Sequence, residues 1–198
     1  MANLQLGNKT VVTQTGSAEP AIASNVQFPA GHVVQTVSNT YGFTGDQQIS
    51  DGTAGSTANL VGPEVSLTLI NANAKVLFSV HFSEVYAQAS ITTYLYLMGG
   101  TVSTGSNNKT AINSHSSSII PPVLYTGQGV GSRNWFSTIR WGSNNVKPCS
   151  YGGLGQCSNT AGQTFYFRPG VGSTASSIYI NYDQNNGFCT LTVQEIQV

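Results

Sequence analysis

Hydrophobic and polar residues alternate with a period of two along several short stretches of this chain. The pattern is clearest over residues 65–70 and 78–85. Because successive side chains of a strand point to opposite faces, this pattern predicts β-strands with one buried face. β-Branched and aromatic residues between Gly, Asn and Ser boundaries predict further strands at residues 33–37, 75–86, 91–98, 135–141, 164–167, 178–182 and 188–198.

The segment between the last two predicted strands is Asp-Gln-Asn-Asn-Gly, over residues 183–187. Asn and Gly tolerate a positive φ, so this segment predicts a tight hairpin turn that joins the two strands. Residues 188–193 carry no charge, which is typical of a strand covered on both sides.

The number of short strands and the lack of any helical periodicity predict an all-β fold, an antiparallel β-sandwich or jelly roll. Residues 1–28 differ from the rest, because they include a long run of small and polar residues and offer little to bury. They are predicted to form a short extended N-terminal arm that serves attachment or oligomerisation. Residues 29–198 are predicted to form one β-sandwich head domain.

Charge is scarce. Only 7% of residues are charged, the formal net charge is +0, and the seven Lys and Arg residues are scattered. Nucleic acid is therefore not an expected partner, since its binding depends on clustered phosphate contacts.

No apolar run approaches the length of a membrane span, and no signal peptide is visible, which predicts synthesis in the cytoplasm without membrane insertion. Zero net charge removes a barrier to association, and a homotrimer is the expected form.

The three cysteines do not predict a disulfide framework. Cys149 and Cys157 flank a Gly-rich turn and lie close enough in sequence to approach each other, while Cys189 is distant. An odd count without a secretory signal favours buried thiols in a reducing cytoplasm.

Catalytic and metal-binding motifs are absent from the sequence. The three histidines are far apart, and His81 shares one face of its predicted strand with Ser79 and Ser83, which predicts no metal site. Asp46 and Asp51 are close in sequence but lack the features of a designed acid pair. The sequence therefore predicts no cofactor and no enzymatic activity.

Aromatic side chains beside Asn and Gln are the most suggestive binding feature. Aromatic rings stack on neutral ligands while amides hydrogen-bond to them, and loops held on a rigid scaffold concentrate such residues. The candidate binding loops are the Gly/Asn-rich segments at residues 102–116, 126–134, 142–160 and 183–187. Within and beside them, the candidate receptor-binding residues are Tyr125, Asn145 and Tyr151.

Three stretches carry a resemblance to a known family. Residues 26–38 are VQFPAGHVVQTVS, residues 65–85 hold an Ile/Leu-rich strand followed by Lys-Val-Leu, and residues 190–198 contain Leu-Thr-Val-Gln-Glu-Ile. Together these resemble the tail-fibre and appendage proteins of marine bacteriophages. The resemblance implies a virion component with a trimeric β domain, and it carries over no catalytic residue.

The expected function is therefore that of a non-enzymatic virion structural protein, a short tail fibre or appendage. Residues 1–28 would bind other virion proteins, and the head domain would contact a host surface glycan or protein. Alanine at Tyr125 and Tyr151 is then expected to reduce adsorption without altering particle stability. Two alternatives stay open: a capsid decoration (cement) or head-fibre protein, and a virion enzyme that cleaves polysaccharide.

Overall fold

A computed structural model describes residues 2–6, 9–14, 21–22, 30–49, 58–103, 105, 107–112, 118–119, 137–140, 142, 144–157, 159–173, 178–182 and 186–197. These residues form antiparallel strands and no α-helix. The strands are β1 Ala2–Leu6, β2 Lys9–Gln14, β3 Ala21–Ile22, β4 Val33–Gly42, β5 Gln47–Ile49, β6 Ala58–Gly62, β7 Val65–Thr68, β8 Lys75–Ala87, β9 Thr92–Gly100, β10 Asn107–Ile112, β11 Ser118–Ile119, β12 Ser137–Arg140, β13 Asn145–Gln156, β14 Thr164–Ser173, β15 Ile178–Ile180 and β16 Phe188–Ile196. The all-β prediction is confirmed.

The predicted N-terminal arm contains a small sheet of its own. Strands β1, β2 and β3 pair antiparallel in that order, with Leu4 opposite Val12 and Val12 opposite Ile22. The remaining strands form a six-stranded and a seven-stranded sheet, which take no strand from this N-terminal sheet.

Several strands lie end to end and share one position in a sheet. Along one edge of β8, Ile178 of β15 faces Ala87, Cys189 of β16 faces Phe82, and β16 continues to the start of β8. Strands β4 and β5 follow one another along β16 and β15 in the same way. The predicted hairpin at residues 183–187 is therefore wrong, because β15 and β16 pair with β8 and not with each other.

Asn181 links the end of β15 to the start of β16 through its side chain. Its φ of 57° is in the left-handed region, which Asn tolerates, and it ends β15. Its Oδ1 accepts a hydrogen bond from the Gly187 backbone N–H at 2.6 Å, and its Nδ2 donates to the Gly45 carbonyl at 3.1 Å. The Asn181 side chain thus joins the end of β15 to Gly187, just before β16 begins, and to Gly45.

Counting each end-to-end pair as one position gives eight positions along the chain after the N-terminal sheet. They are β4/β5, β6/β7, β8, β9, β11/β12, β13, β14 and β15/β16. In the six-stranded sheet the positions are ordered β4/β5, β15/β16, β8, β13, which are the first, eighth, third and sixth along the chain. In the seven-stranded sheet they are ordered β6/β7, β14, β9, β11/β12, which are the second, seventh, fourth and fifth, and β10 lies beside β6. This order is that of a jelly roll, two four-stranded antiparallel sheets packed face to face.

The core lies between the two sheets. In β8 the residues Val76, Phe78, Val80 and Phe82 are buried, whereas Leu77 and Ser79 between them are exposed. In β16 Leu191 and Val193 are buried, but the alternate residues are half-buried or exposed. The predicted coverage of this strand on both sides is wrong: its neighbours β4 and β8 cover its edges, and one of its faces stays open.

One carboxylate is buried at the end of this core. Glu195 is 0% exposed, on the same face of β16 as Leu191 and Val193. It accepts hydrogen bonds from the backbone N–H groups of Ile70 and Asn71 and from the side-chain amides of Asn71 and Gln35. Glu195 therefore ties the turn after β7 to β16 and β4.

The described part of the chain contains no helix of the length and hydropathy needed to cross a membrane.

Candidate ligand-binding face

The exposed side of the six-stranded sheet, called the outer face below, carries many neutral polar side chains, with the exposed apolar Leu77 and Phe188 beside them. Neighbouring strands place Thr40, Thr190, His81 and Ser150 side by side in one row. Thr40 and Thr190 share a hydrogen bond of 2.9 Å between their hydroxyls, and His81 Nδ1 lies 2.8 Å from Ser150 Oγ. The row therefore presents hydroxyl and imidazole groups, which both donate and accept hydrogen bonds.

A depression of about 430 Å³ opens on the outer face around this row, and it is called the His81 depression below. Its lining residues are Ser79, Val80, His81, Ser150, Tyr151, Gly152 and Thr190, of which Val80 and Tyr151 have side chains buried in the core. Gly152 contributes no side chain to it, and a Cβ added there would lie 2.5 Å from the Phe78 carbonyl oxygen of the neighbouring strand. Because that carbonyl belongs to the backbone, no larger residue fits and the depression stays open.

An exposed aromatic ring stands beside His81. Phe188 is the first residue of β16 and is 40% exposed, and its ring centroid lies 5.8 Å from that of His81. Its backbone N–H donates to Ser83 Oγ at 2.8 Å, which fixes the start of the strand. The sequence prediction that His81 and Ser79 share one face is confirmed.

A second feature of the outer face is the tyrosine cluster, formed by Tyr86, Tyr179 and Tyr182. Tyr86 and Tyr182 are stacked with centroids 4.0 Å apart, and Tyr179 meets Tyr182 edge-on at 5.4 Å. The Tyr86 hydroxyl donates to Asn144 Oδ1 at 3.1 Å, and Gln48 Nε2 donates to the Tyr179 hydroxyl at 3.0 Å. The cluster packs Tyr179 and Tyr182 against Tyr86 of β8.

A β-bulge places Tyr86 on this side. Phe82 faces Cys149 and Val85 faces Lys147, so Ser83 and Glu84 together oppose the single residue Pro148. The extra residue reverses the alternation of β8, and Tyr86, which would otherwise point inward like Phe82, lies outward.

Tyr151 is not available to a ligand. It is 8% exposed, lies on the inner face of β13, and its hydroxyl donates to the Tyr96 carbonyl of the other sheet at 2.8 Å. Its ring contacts Phe78 edge-on and stacks against Phe82, and burial raises the pKa of its hydroxyl well above the ordinary value. The prediction that Tyr151 presents a stacking ring to a receptor is therefore corrected: it is a core residue.

The other two predicted binding residues have different outcomes. Asn145 is exposed at the start of β13, next to Asn144, which binds Tyr86. Tyr125 lies outside the described residues. The structure thus places Asn145 beside the tyrosine cluster but does not bring it together with Tyr151.

The predicted loops are only partly loops. Residues 142–160 were expected to be a loop, but they contain the twelve-residue strand β13, and residues 102–116 contain β10. Residues 126–134 and most of 183–187 lie outside the described residues. Among the described residues, the outer face is the surface with the most neutral polar side chains, and recognition by the predicted loops stays a prediction.

The described acids have structural partners. Glu195 is buried in its hydrogen-bond network, and Glu64 accepts from the Ser103 hydroxyl at 2.6 Å and from the Gly105 N–H at 3.1 Å. Asp51 and Asp183 lie outside the described residues. Within the described ranges, His, Cys, Asp and Glu side chains form no group of three that could hold a metal ion.

All three cysteines are unpaired and buried, as the odd count favoured. Burial raises the pKa of the Cys149 thiol to about 11 and that of Cys157 to about 12, from an ordinary 9.0. For Cys157 the neighbouring charge of Glu195 adds to the shift. The thiols are therefore neutral at physiological pH and act as small core residues.

Comparisons with known proteins give structural likenesses only. No protein-family profile matches the chain, and no characterised protein matches it in sequence. The chain is similar to the protein of the T13 infectious bursal disease virus particle, at 9% identity and a TM-score of 0.26 over 94% of this chain and 39% of that one. A mutant VP2 protein of the same virus gives 9% identity and a TM-score of 0.30, over 92% of this chain and 40% of that one.

A third solved structure comes from outside the viruses. It is the CBM22-1-GH10 modules of endo-1,4-β-D-xylanase 10B from Clostridium thermocellum, complexed with xylohexaose, at 9% identity and a TM-score of 0.26 over 78% of this chain and 28% of that one. The chain thus spans less than half of each of these three structures. At these TM-scores the likenesses carry no information on function, and the jelly roll rests on the strand order itself.

Proposed function

We propose that this chain is a non-enzymatic structural protein of a bacteriophage particle, a short tail fibre or appendage, whose jelly-roll domain points outward and contacts the host surface. The observation that carries the proposal is the jelly roll with a neutral, hydroxyl-rich outer face. Jelly rolls are frequent in viral capsid and lectin domains, where a rigid sandwich displays a binding surface. The near-absence of charge supports assembly into an oligomer, for which a homotrimer is proposed, because net charge does not oppose association.

The N-terminal sheet is proposed to be the attachment segment. All described strands of the two jelly-roll sheets lie between Val33 and Ile196, so the described strands β1, β2 and β3 contribute nothing to them. A segment that the jelly roll does not need for its sheets is free to bind another virion protein.

Deleting residues 1–28 is expected to leave the jelly roll folded and to abolish incorporation into particles. The truncated protein should keep the β-type circular dichroism spectrum of the full chain, since no strand of either sheet is removed. Incorporation is measured by complementing a phage that lacks the gene and quantifying the chain in gradient-purified particles.

Three outcomes would contradict this proposal. Truncated protein at full occupancy would show that the anchor lies in the jelly roll. If particles that lack the chain adsorb as well as particles that carry it but are more fragile, the capsid decoration alternative would be favoured. Shortening of host polysaccharide by the soluble protein would favour the enzymatic alternative.

A further inference from the structure

The tyrosine cluster and the His81 depression differ in what they leave open to a ligand. In the cluster the hydroxyls of Tyr86 and Tyr179 are engaged by Asn144 and Gln48, and the rings of Tyr86 and Tyr182 cover each other. These hydroxyls and ring faces of the cluster are therefore already in contact with other residues of the protein. The depression also contains hydrogen bonds, between His81 and Ser150 and between Thr190 and Thr40, but it adds an open volume with the exposed side chain of Ser79 beside the half-buried His81.

We propose that the His81 depression binds one residue of a neutral saccharide. This proposal rests on the proposed function, because it names the class of host-surface ligand that the outward-facing domain would bind. Its volume of about 430 Å³ lies within the range of roughly 300–1,000 Å³ that is usual for small-ligand sites. The occupant is identified by three properties of the lining: charge, hydrogen-bonding chemistry and the neighbouring ring.

The lining selects against charged ligands. None of its residues is Asp, Glu, Lys or Arg. Phosphate, sulfate and carboxylate groups are held by Arg or Lys, which form charge-assisted hydrogen bonds with them. A ligand carrying such a group would lose part of its hydration in the depression without gaining a cation as partner, so a neutral ligand is favoured.

The polar groups of the lining match a sugar. Ser79, Ser150 and Thr190 supply hydroxyls, and His81 supplies an imidazole. Like the hydroxyls of a saccharide, each of these groups both donates and accepts hydrogen bonds. The contact between His81 Nδ1 and Ser150 Oγ, at 2.8 Å, holds the imidazole in a fixed orientation before the ligand arrives.

Phe188 supplies an apolar surface beside these polar groups. Its ring is 40% exposed and 5.8 Å from the His81 ring. One face of a pyranose presents C–H groups, which pack on an aromatic ring while the hydroxyls at the rim bind polar neighbours. A sugar residue thus uses Phe188 and the His81 depression together.

A peptide is a poorer fit to this position. Extended peptides bind by adding a strand to the free edge of a sheet. The depression lies over the face of β16, β8 and β13, and β8 and β16 are each paired with a strand on both sides. The backbone groups of these two strands are engaged in the sheet, and the free edge of β13 lies at the side of the depression, so recognition on its floor depends on side chains.

The test is a saturation-transfer NMR titration of the full chain with maltose, cellobiose and lactose, and with a disaccharide that contains a uronic acid. At least one neutral disaccharide should bind saturably, with a dissociation constant in the millimolar range. Ser79→Leu fills the depression and should weaken that binding about tenfold or more, as should Phe188→Ala, which removes the ring. Ser66→Leu is the matched control, an exposed serine of β7 in the other sheet, and should leave binding unchanged.

Saturable binding of no neutral disaccharide would overturn the site. So would equal binding by the Ser79→Leu and Ser66→Leu proteins, or tighter binding of the uronic-acid disaccharide. If Ser79→Leu fails to fold, as judged by circular dichroism, Phe188→Ala decides. Saccharide binding by a chain that is absent from particles would overturn the proposed function alone, whereas a chain present in particles that binds no saccharide would overturn this site alone.

Discussion

Replacing Glu195 by alanine is expected to lower the free energy of unfolding by about 3–5 kcal/mol. The carboxylate is fully buried and accepts hydrogen bonds from two backbone N–H groups and two side-chain amides. Removing it leaves these donors without their acceptor. Because a domain has a total stability of only about 5–15 kcal/mol, this single change is expected to remove a large share of it.

Urea unfolding of matched variants checks this prediction. Gln194→Ala is the control, because Gln194 is the neighbouring residue of β16, lies on the opposite face and makes one hydrogen bond to Thr36. It should cost within about 1 kcal/mol. Glu195→Gln should fall between the two, since it keeps one acceptor oxygen but turns a donor toward N–H groups. Equal midpoints for Glu195→Ala and Gln194→Ala, at an unchanged m value, would show that the network does not stabilise the fold.

Tyr151→Ala is expected to destabilise the protein by about 3–5 kcal/mol, the usual cost of removing a large aromatic side chain from a core. The ring packs against Phe78 and Phe82, and the hydroxyl crosses between the sheets to the Tyr96 carbonyl. This result replaces the sequence-based expectation that alanine at Tyr151 leaves particle stability unaltered.

Tyr151→Phe separates the two contributions of this side chain. It keeps the packing and removes the hydrogen bond of 2.8 Å, so it should cost about 1 kcal/mol. Thermal or urea unfolding measures both variants. A Tyr151→Ala protein as stable as the unsubstituted chain, with reduced adsorption to host cells, would contradict the buried position and restore the original interpretation.

Strands with regular alternation were predictable from the sequence alone. Residues 65–70 contain β7, in which Val65 and Leu67 are buried and Ser66 and Thr68 are exposed. The inward position of Glu195 beside Leu191 and Val193 follows from the same rule. In these places the local pattern and the tertiary structure agree, because one face of the strand packs on the opposite sheet.

Strand β13 shows why the pattern failed elsewhere. Its glycines are typical of a turn, yet they lie in a strand of twelve residues. The reason is tertiary: at residue 152 the backbone of β8 approaches so closely that a Cβ would lie 2.5 Å from the Phe78 oxygen. Glycine is required there by a neighbour more than seventy residues away, and no local signal reveals it.

The position of the tyrosine cluster was hidden for a similar reason. Strict alternation from Phe82 places Tyr86 inside, and only the bulge opposite Pro148 turns it outward. Its partners Tyr179 and Tyr182 lie in and just after β15, where the sequence predicted one arm of a hairpin. The bulge in β8 forms against β13, and β15 and β16 lie end to end because both pair with β8. The local sequence of a strand does not identify its partner, so neither feature could be predicted.

A cryo-electron microscopy map of the particle, in which this chain is located, tests whether the protein is displayed on the virion surface. We expect density for jelly rolls at the particle surface, with the N-terminal sheet toward the particle and the outer face of the six-stranded sheet accessible to solvent. Absence of the chain from purified particles, or an outer face buried entirely against other virion proteins, would contradict it.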